Sequence, residues 1–178
     1  IMVFTRRLCI ALLMLLPALQ AQATETLVEK AGLTDTRTHQ AIALMASFAQ
    51  RTGLTTAQPH KRYLWTDAFA VCNYLGLARS TGEQKYFDLA VKLIEQVHFT
   101  LGHHRPDDPR EGWISGLSED EGELRPTKGG LRIGKTLPER NPEEPFDSRL
   151  EWDRDGQYFH YLTKWMHALD QVTRFTKR

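Results

Sequence analysis

Cysteine is scarce in this chain, with only Cys9 and Cys72 among 178 residues. Two cysteines build neither a disulfide framework nor a cysteine metal site. Cys72 lies in an apolar run with Ala68, Phe69, Val71, Tyr74 and Leu75, where a buried, inert thiol is expected. Charge of one sign is equally lacking: 23 Lys and Arg face 22 Asp and Glu, a formal net charge of +1. No face of clustered Lys and Arg is present, which excludes the nucleic-acid-binding class. Strand-like alternation is missing apart from Leu131-Arg132-Ile133, a possible short strand. Gly129-Gly130, with Lys128 and Arg132, lacks the glycine spacing and the Lys-Ser/Thr ending of a phosphate loop. The acidic run Ser118–Glu123 lacks the ligand spacing of an EF-hand and reads as solvated surface. His103-His104 with Asp107 and Asp108 lacks a helical His-x-x-x-His, so no metal and no cofactor are expected.

The first residues carry an address. Arg6 and Arg7 form a basic n-region, Leu8 to Leu16 a short apolar core, and Pro17 breaks it. Ala21-Gln22-Ala23 supplies a small-x-small cleavage pattern. Residues 1–23 therefore read as a secretory signal peptide and 24–178 as one helical domain, periplasmic or secreted. The alternative is an N-terminal helix. The apolar core is too short to span a bilayer, so no membrane partner is expected after cleavage. Loss of Arg6 and Arg7 takes the net charge to about −1.

Four segments show helical spacing. Thr38 to Thr52 places Ala41, Leu44, Met45, Phe48 and Ala49 on one stripe. Leu64 to Ser80 is apolar nearly all round, which implies burial between neighbours. Lys85 to Leu101 aligns Tyr86, Ala90, Leu93, Ile94, Val97 and Leu101. Gln157 to Thr176 aligns Tyr158, Leu162, Trp165, Met166, Leu169 and Val172. The ends Phe48–Gly53 and Leu77–Gly82 resemble each other, and Val172–Lys177 is a degenerate third copy. Gly53 and Gly82 stand where a helix end favours a left-handed residue. Leu64 to Leu101 then forms a tight helical hairpin. Between the third and fourth helices lies a long segment, 103–155. It carries Trp113, Ile114, Leu131, Ile133, Phe146 and Trp152, anchors that disordered tracts lack.

Three runs carry a family resemblance: Arg62-Tyr63-Leu64-Trp65-Thr66-Asp67-Ala68-Phe69, Ser80-Thr81-Gly82-Glu83-x-x-Tyr86, and Trp152-Asp153-Arg154-Asp155-Gly156-Gln157-Tyr158. Together they resemble the six-hairpin glycosidase-like superfamily, from about Thr38 onward. The resemblance implies an all-α fold of stacked helical hairpins, an (α/α)6 toroid. Its substrate pocket would lie at the N-terminal ends of the inner helices. About two hairpins fit in this chain, so it is expected to be the N-terminal portion of a longer toroid.

The implied activity is glycoside hydrolysis or related carbohydrate processing, which commonly uses two carboxylates across the scissile bond. Asp153 and Asp155 are candidates for the acid/base, with Asp67 as the partner. Each has a structural alternative. Asp155 before Gly156 reads as a helix N-cap, and Asp67 as an acid of the first helical turn. His160 heads a polar stripe with Lys164, His167 and Gln171, either solvated or acting as acid–base and substrate ligand. Trp65, Trp113, Trp152 and Tyr158 are candidate platforms for pyranose rings, with Arg154 in the same binding set. Trp165 belongs to an apolar stripe and is assigned to the core. The opposing reading is a non-catalytic helical module that recognises a glycan or a protein through the 103–155 segment.

Overall fold

The computed structural model of the protein describes residues 35–177, and the signal-peptide reading, Cys9 included, lies outside them. The chain divides into two compact units, Ile1–Ala41 and Ile42–Arg178. Of the first, residues 35–41 are described and are helical, with His39 Nδ1 3.5 Å from Asp35 Oδ1. The other described residues, 42–177, belong to the second.

The described residues are all-α. Helix α1 covers 35–51, α2 Leu64–Thr81, α3 Gln84–Gly102, α4 Glu119–Leu124, α5 Ser148–Glu151 and α6 Phe159–Thr176. No strand forms among the described residues. Two isolated bridges, His103 with Trp113 and Leu137 with Arg154, are the nearest approach to one. Leu131-Arg132-Ile133 is irregular instead. Its amides bond to Leu101 O at 3.0 Å and Gly156 O at 2.9 Å, in unrelated segments, so no ladder propagates.

Helix α2 is the centre of the unit. It packs against both α3 and α6, which explains why its sequence is apolar all round. Leu64, Val71, Tyr74 and Leu75 on α2 are buried, as are Leu93, Val97 and Leu101 on α3 and Trp165 and Ala168 on α6. Each such aliphatic side chain contributes about 1.5–3 kcal/mol through removal from water. Tyr74 donates its hydroxyl proton to Met45 O at 3.1 Å, so even the buried phenol is satisfied. Cys72 is a half-buried free thiol, less enclosed than its apolar neighbours imply.

The hairpin turn is as its spelling requires. Gly82 caps α2 at φ 72° and its amide donates to Ala78 O, while Gly53, just past α1, has φ 74°. A left-handed residue lets the last carbonyls of a helix find donors, and glycine does so without a Cβ clash. The third copy behaves differently: α6 ends at Lys177 with φ −87°.

The α2–α3 turn brings the C-terminus of α3 back to the N-terminus of α2. Helix α6 begins at that same end, since Tyr161 meets Tyr63. Its far end lies by the other end of α2, where Phe175 stacks on Phe87 and sits under Arg79. Helices α2 and α6 are thus parallel, with α3 antiparallel to both.

The 103–155 segment folds over this end. Its first half is anchored on α3 by Ile114 N–H to Gly102 O at 2.8 Å and Arg132 N–H to Leu101 O. Trp113 is buried there, beside His103, Gly102 and Gly122. The acidic run is helix α4, capped by the Ser118 hydroxyl, which accepts from Glu121 N–H. Three acids in the first turn suit its positive end, and they remain exposed as expected. The second half reaches α2, where Ile133 O accepts from Leu64 N–H at 3.0 Å.

Candidate functional site

The carboxylates singled out in the sequence have separate fates. Asp155 is 1% exposed. Its Oδ2 accepts from Arg132 Nη1 at 2.8 Å and Arg105 Nη1 at 3.3 Å; its Oδ1 accepts from Gly134 N–H at 2.7 Å and Gly156 N–H at 3.0 Å. Four donors occupy its lone pairs. The expectation of an N-cap is corrected here: α6 starts at Phe159 rather than Gln157, and its N-cap residue is Tyr158, with no side-chain cap. Asp155 lies three residues before Tyr158, too far back to reach the first turn, and two arginines from the loop claim it instead.

Asp67 is also buried, in the first turn of α2. Its Oδ2 accepts from Tyr63 N–H at 3.0 Å and its Oδ1 lies 3.6 Å from Arg62 Nη1. Arg62 in turn donates to Thr52 O, joining the end of α1 to the start of α2. Burial raises the Asp67 pKa to about 6, against the opposing pull of Arg62 and the Tyr63 amide. Asp153 is exposed. Its backbone carbonyl accepts from Leu137 N–H, and its side chain enters no ion pair among the described residues.

The candidate aromatics gather, with one exception, at the shared N-terminal end of α2 and α6. Tyr158, His160, Tyr161, Trp152, Glu151, Arg154, Ile133 and Lys135 line a cavity of about 160 Å³. Tyr161 is its hub. Its ring is 5.2 Å from Trp65, 4.6 Å from His160 and 6.1 Å from Tyr158, centroid to centroid. Its hydroxyl is 2.7 Å from that of Tyr63. Burial and this hydrogen bond push the Tyr63 phenol up to about 12. Trp152 is 79% exposed, an unusual position for so large a ring. The exception is Trp113, which is 3% exposed and donates its indole N–H to Glu119 Oε2 at 3.1 Å. It is part of the loop's own core. Trp165 is core as expected, its indole N–H 3.1 Å from His98 Nε2. Burial lowers the His98 pKa to about 4, which keeps that nitrogen an acceptor.

His160 heads the α6 stripe and is exposed on the cavity rim, with Lys164 Nζ 5.8 Å from the Trp65 ring centre. Arg154 lines the cavity while pairing with Glu144. Glu151, not Asp153, is the carboxylate that lines it; Glu151 Oε1 is 2.9 Å from Arg140 Nε.

Three participants receive no role from the sequence, although Tyr63 stands in one of the runs that carry the resemblance. Tyr63 and Tyr161 flank residues that do, and Lys135 lies in irregular backbone. Lys135 Nζ stands 5.4 Å from the Tyr63 ring centre and 5.3 Å from that of Trp152. Among the described residues no group of three or more His, Cys, Asp or Glu is arranged to hold a metal ion. His103 pairs with Glu119, His104 with Asp108 and Asp107 with Arg105, so the loop's histidines and acids are dispersed among separate partners.

No protein-family model, curated protein or solved structure matches this chain. The cavity's chemistry is that of a polar, ring-lined cleft: flat apolar faces for stacking, two cations, one carboxylate and one imidazole.

Proposed function

We propose that the protein is carbohydrate-active and that the cavity at the N-terminal ends of α2 and α6 binds a sugar. One observation carries this: Trp152, Tyr158, Tyr161 and His160 converge on a single small cleft, with Trp152 largely exposed. Pyranose rings present apolar faces that stack on such side chains, and hydroxyls that bond to their polar edges. The parallel α2 and α6 with antiparallel α3 support the stacked hairpins of an (α/α) toroid, with its pocket at this end.

Hydrolysis needs a second carboxylate. Asp67 and Asp155 are held in buried ion pairs. A glycoside hydrolase-like reaction at this cavity falls to Glu151, the carboxylate that lines it and itself pairs with Arg140, with His160 on the rim and Asp153 two residues along the chain. The commitment of Asp67 and Asp155 to structure favours the second reading, a non-catalytic module that binds a glycan.

A panel of oligosaccharides tested by calorimetry and for release of reducing ends separates the two. Binding that disappears in Trp152→Ala and Tyr158→Ala supports the site. Turnover that disappears in Glu151→Gln and Asp153→Asn, with binding kept, supports the hydrolase. Binding with no turnover leaves the module. Absence of binding to every sugar sinks both.

A further inference from the structure

We propose that the sugar held in this cavity carries a negative charge, as a uronate carboxylate or a sulfate ester, gripped by Lys135 and Arg154. This rests on the carbohydrate reading and names its substrate class.

Lys135 is the first observation. Its ammonium lies between the rings of Tyr63 and Trp152. Ring faces hold a cation in place but do not neutralise it. Among the described residues no carboxylate pairs with it. A lysine positioned this way keeps three donors and a full charge for something else.

Arg154 is the second and independent observation. It is 7% exposed and lines the same cavity. Its Nη2 pairs with Glu144 and its Nη1 donates to Pro138 O at 3.3 Å. Its Nε is buried and has no acceptor. A buried donor without a partner is costly and uncommon, and an acceptor arriving with a ligand removes the cost.

The charges around the cleft agree. Glu144 balances Arg154, and Arg140 balances Glu151. His160 adds no negative charge in either protonation state. Among the charged side chains that line the cavity, Lys135 is then the one with no ion-pair partner, which suits one anionic group on the ligand.

The test uses the full chain and paired probes: a galacturonate oligomer with its methyl ester, and a sulfated galactose oligomer with its desulfated form. Calorimetry should show at least tenfold tighter binding of one charged probe over its neutral partner. The preference should weaken with added salt. Lys135→Met should collapse the ratio, and Lys135→Arg should keep most of it. Preference within the galacturonate pair alone identifies a carboxylate, and within the galactose pair alone a sulfate. Equal binding of charged and neutral partners overturns the proposal and leaves the carbohydrate reading intact. An unchanged ratio in Lys135→Met overturns it as well. If no probe of either kind binds, the charged-sugar proposal falls, and the carbohydrate reading falls with it only if the wider oligosaccharide panel also fails to bind. Lys135 is half-buried in irregular backbone, and the circular dichroism of its variants checks that they fold.

Discussion

Arg132 Nη1 lies 2.8 Å from Asp155 Oδ2, across 23 residues of chain. The same guanidinium donates to Thr100 O at 2.7 Å and, through Nε, to His103 O at 3.0 Å. One side chain thus clamps the end of α3 to the turn that leads into α6. Arg105 joins from the other side and also bonds to Lys135 O and Thr136 O. The backbone that carries Lys135 into the cleft is therefore held by the Asp155 cluster.

Removal of Asp155 leaves two arginines facing each other without their shared partner. Asp155→Ala should destabilise the fold by about 3–5 kcal/mol, the usual cost of breaking a buried pair from one side. Urea unfolding followed by tryptophan fluorescence measures it. A loss below about 1 kcal/mol would show that the cluster does not hold the loop.

Asp67 makes stability depend on pH. Its folded pKa of about 6 exceeds the unfolded value, so the folded state holds the proton more tightly. That contribution is complete below about pH 4 and is lost as pH rises through 6. It amounts to about 3 kcal/mol. Unfolding free energies taken between pH 4 and 7 should fall by an amount of this order, and the fall should disappear in Asp67→Asn. A profile that rises over this window would refute the assignment.

Two tryptophans should respond in opposite ways. Trp165→Ala opens a hole between α6 and its neighbours and should cost about 3–5 kcal/mol. Trp152→Ala touches an exposed ring and should stay within about 1 kcal/mol. Thermal melts of the two variants decide this. Equal losses would mean that Trp152 is structural and not a ligand platform.

The Tyr63–Tyr161 hydrogen bond joins the residue that precedes α2 to the first turn of α6, across 98 residues of chain. Tyr63→Phe and Tyr161→Phe should each cost about 1 kcal/mol, and the double variant less than their sum. Alkaline absorbance titration adds a second readout. Tyr161→Phe should bring down the phenol of Tyr63, which stands near 12 partly because of this bond. Strict additivity with an unmoved titration would break the link.

The helices could be read in the sequence because their causes are local. Apolar spacing marks one face of α1, α3 and α6. The continuous apolarity of α2 announced a helix with neighbours on several sides. Gly82 ends α2 because a left-handed turn is a property of a few consecutive residues. Ser118 and Glu121, three apart, start α4 for the same reason, although the run looked only like solvated surface. The placement of Trp65, Trp152, Tyr158 and His160 at one end of the bundle also followed, since helices that begin at one end bring their first residues together.

Chemistry assigned to single residues did not follow in the same way. Asp155 precedes a glycine and a helix, a pattern shared by caps, catalytic acids and buried ion-pair hubs. Only the arrival of Arg105 and Arg132, 50 and 23 residues away, makes it an ion-pair hub. Trp113 and Trp152 are alike in the sequence, yet one is enclosed by α4 and the end of α3 while the other faces solvent. Lys135 gains its position from two rings that belong to different elements. Sequence by itself determined which segments coil and which faces seek cover, because those depend on neighbours along the chain. Tertiary structure decided which carboxylates are locked, which rings stay open and where the surplus charge stands, because burial and ion pairing depend on neighbours in space.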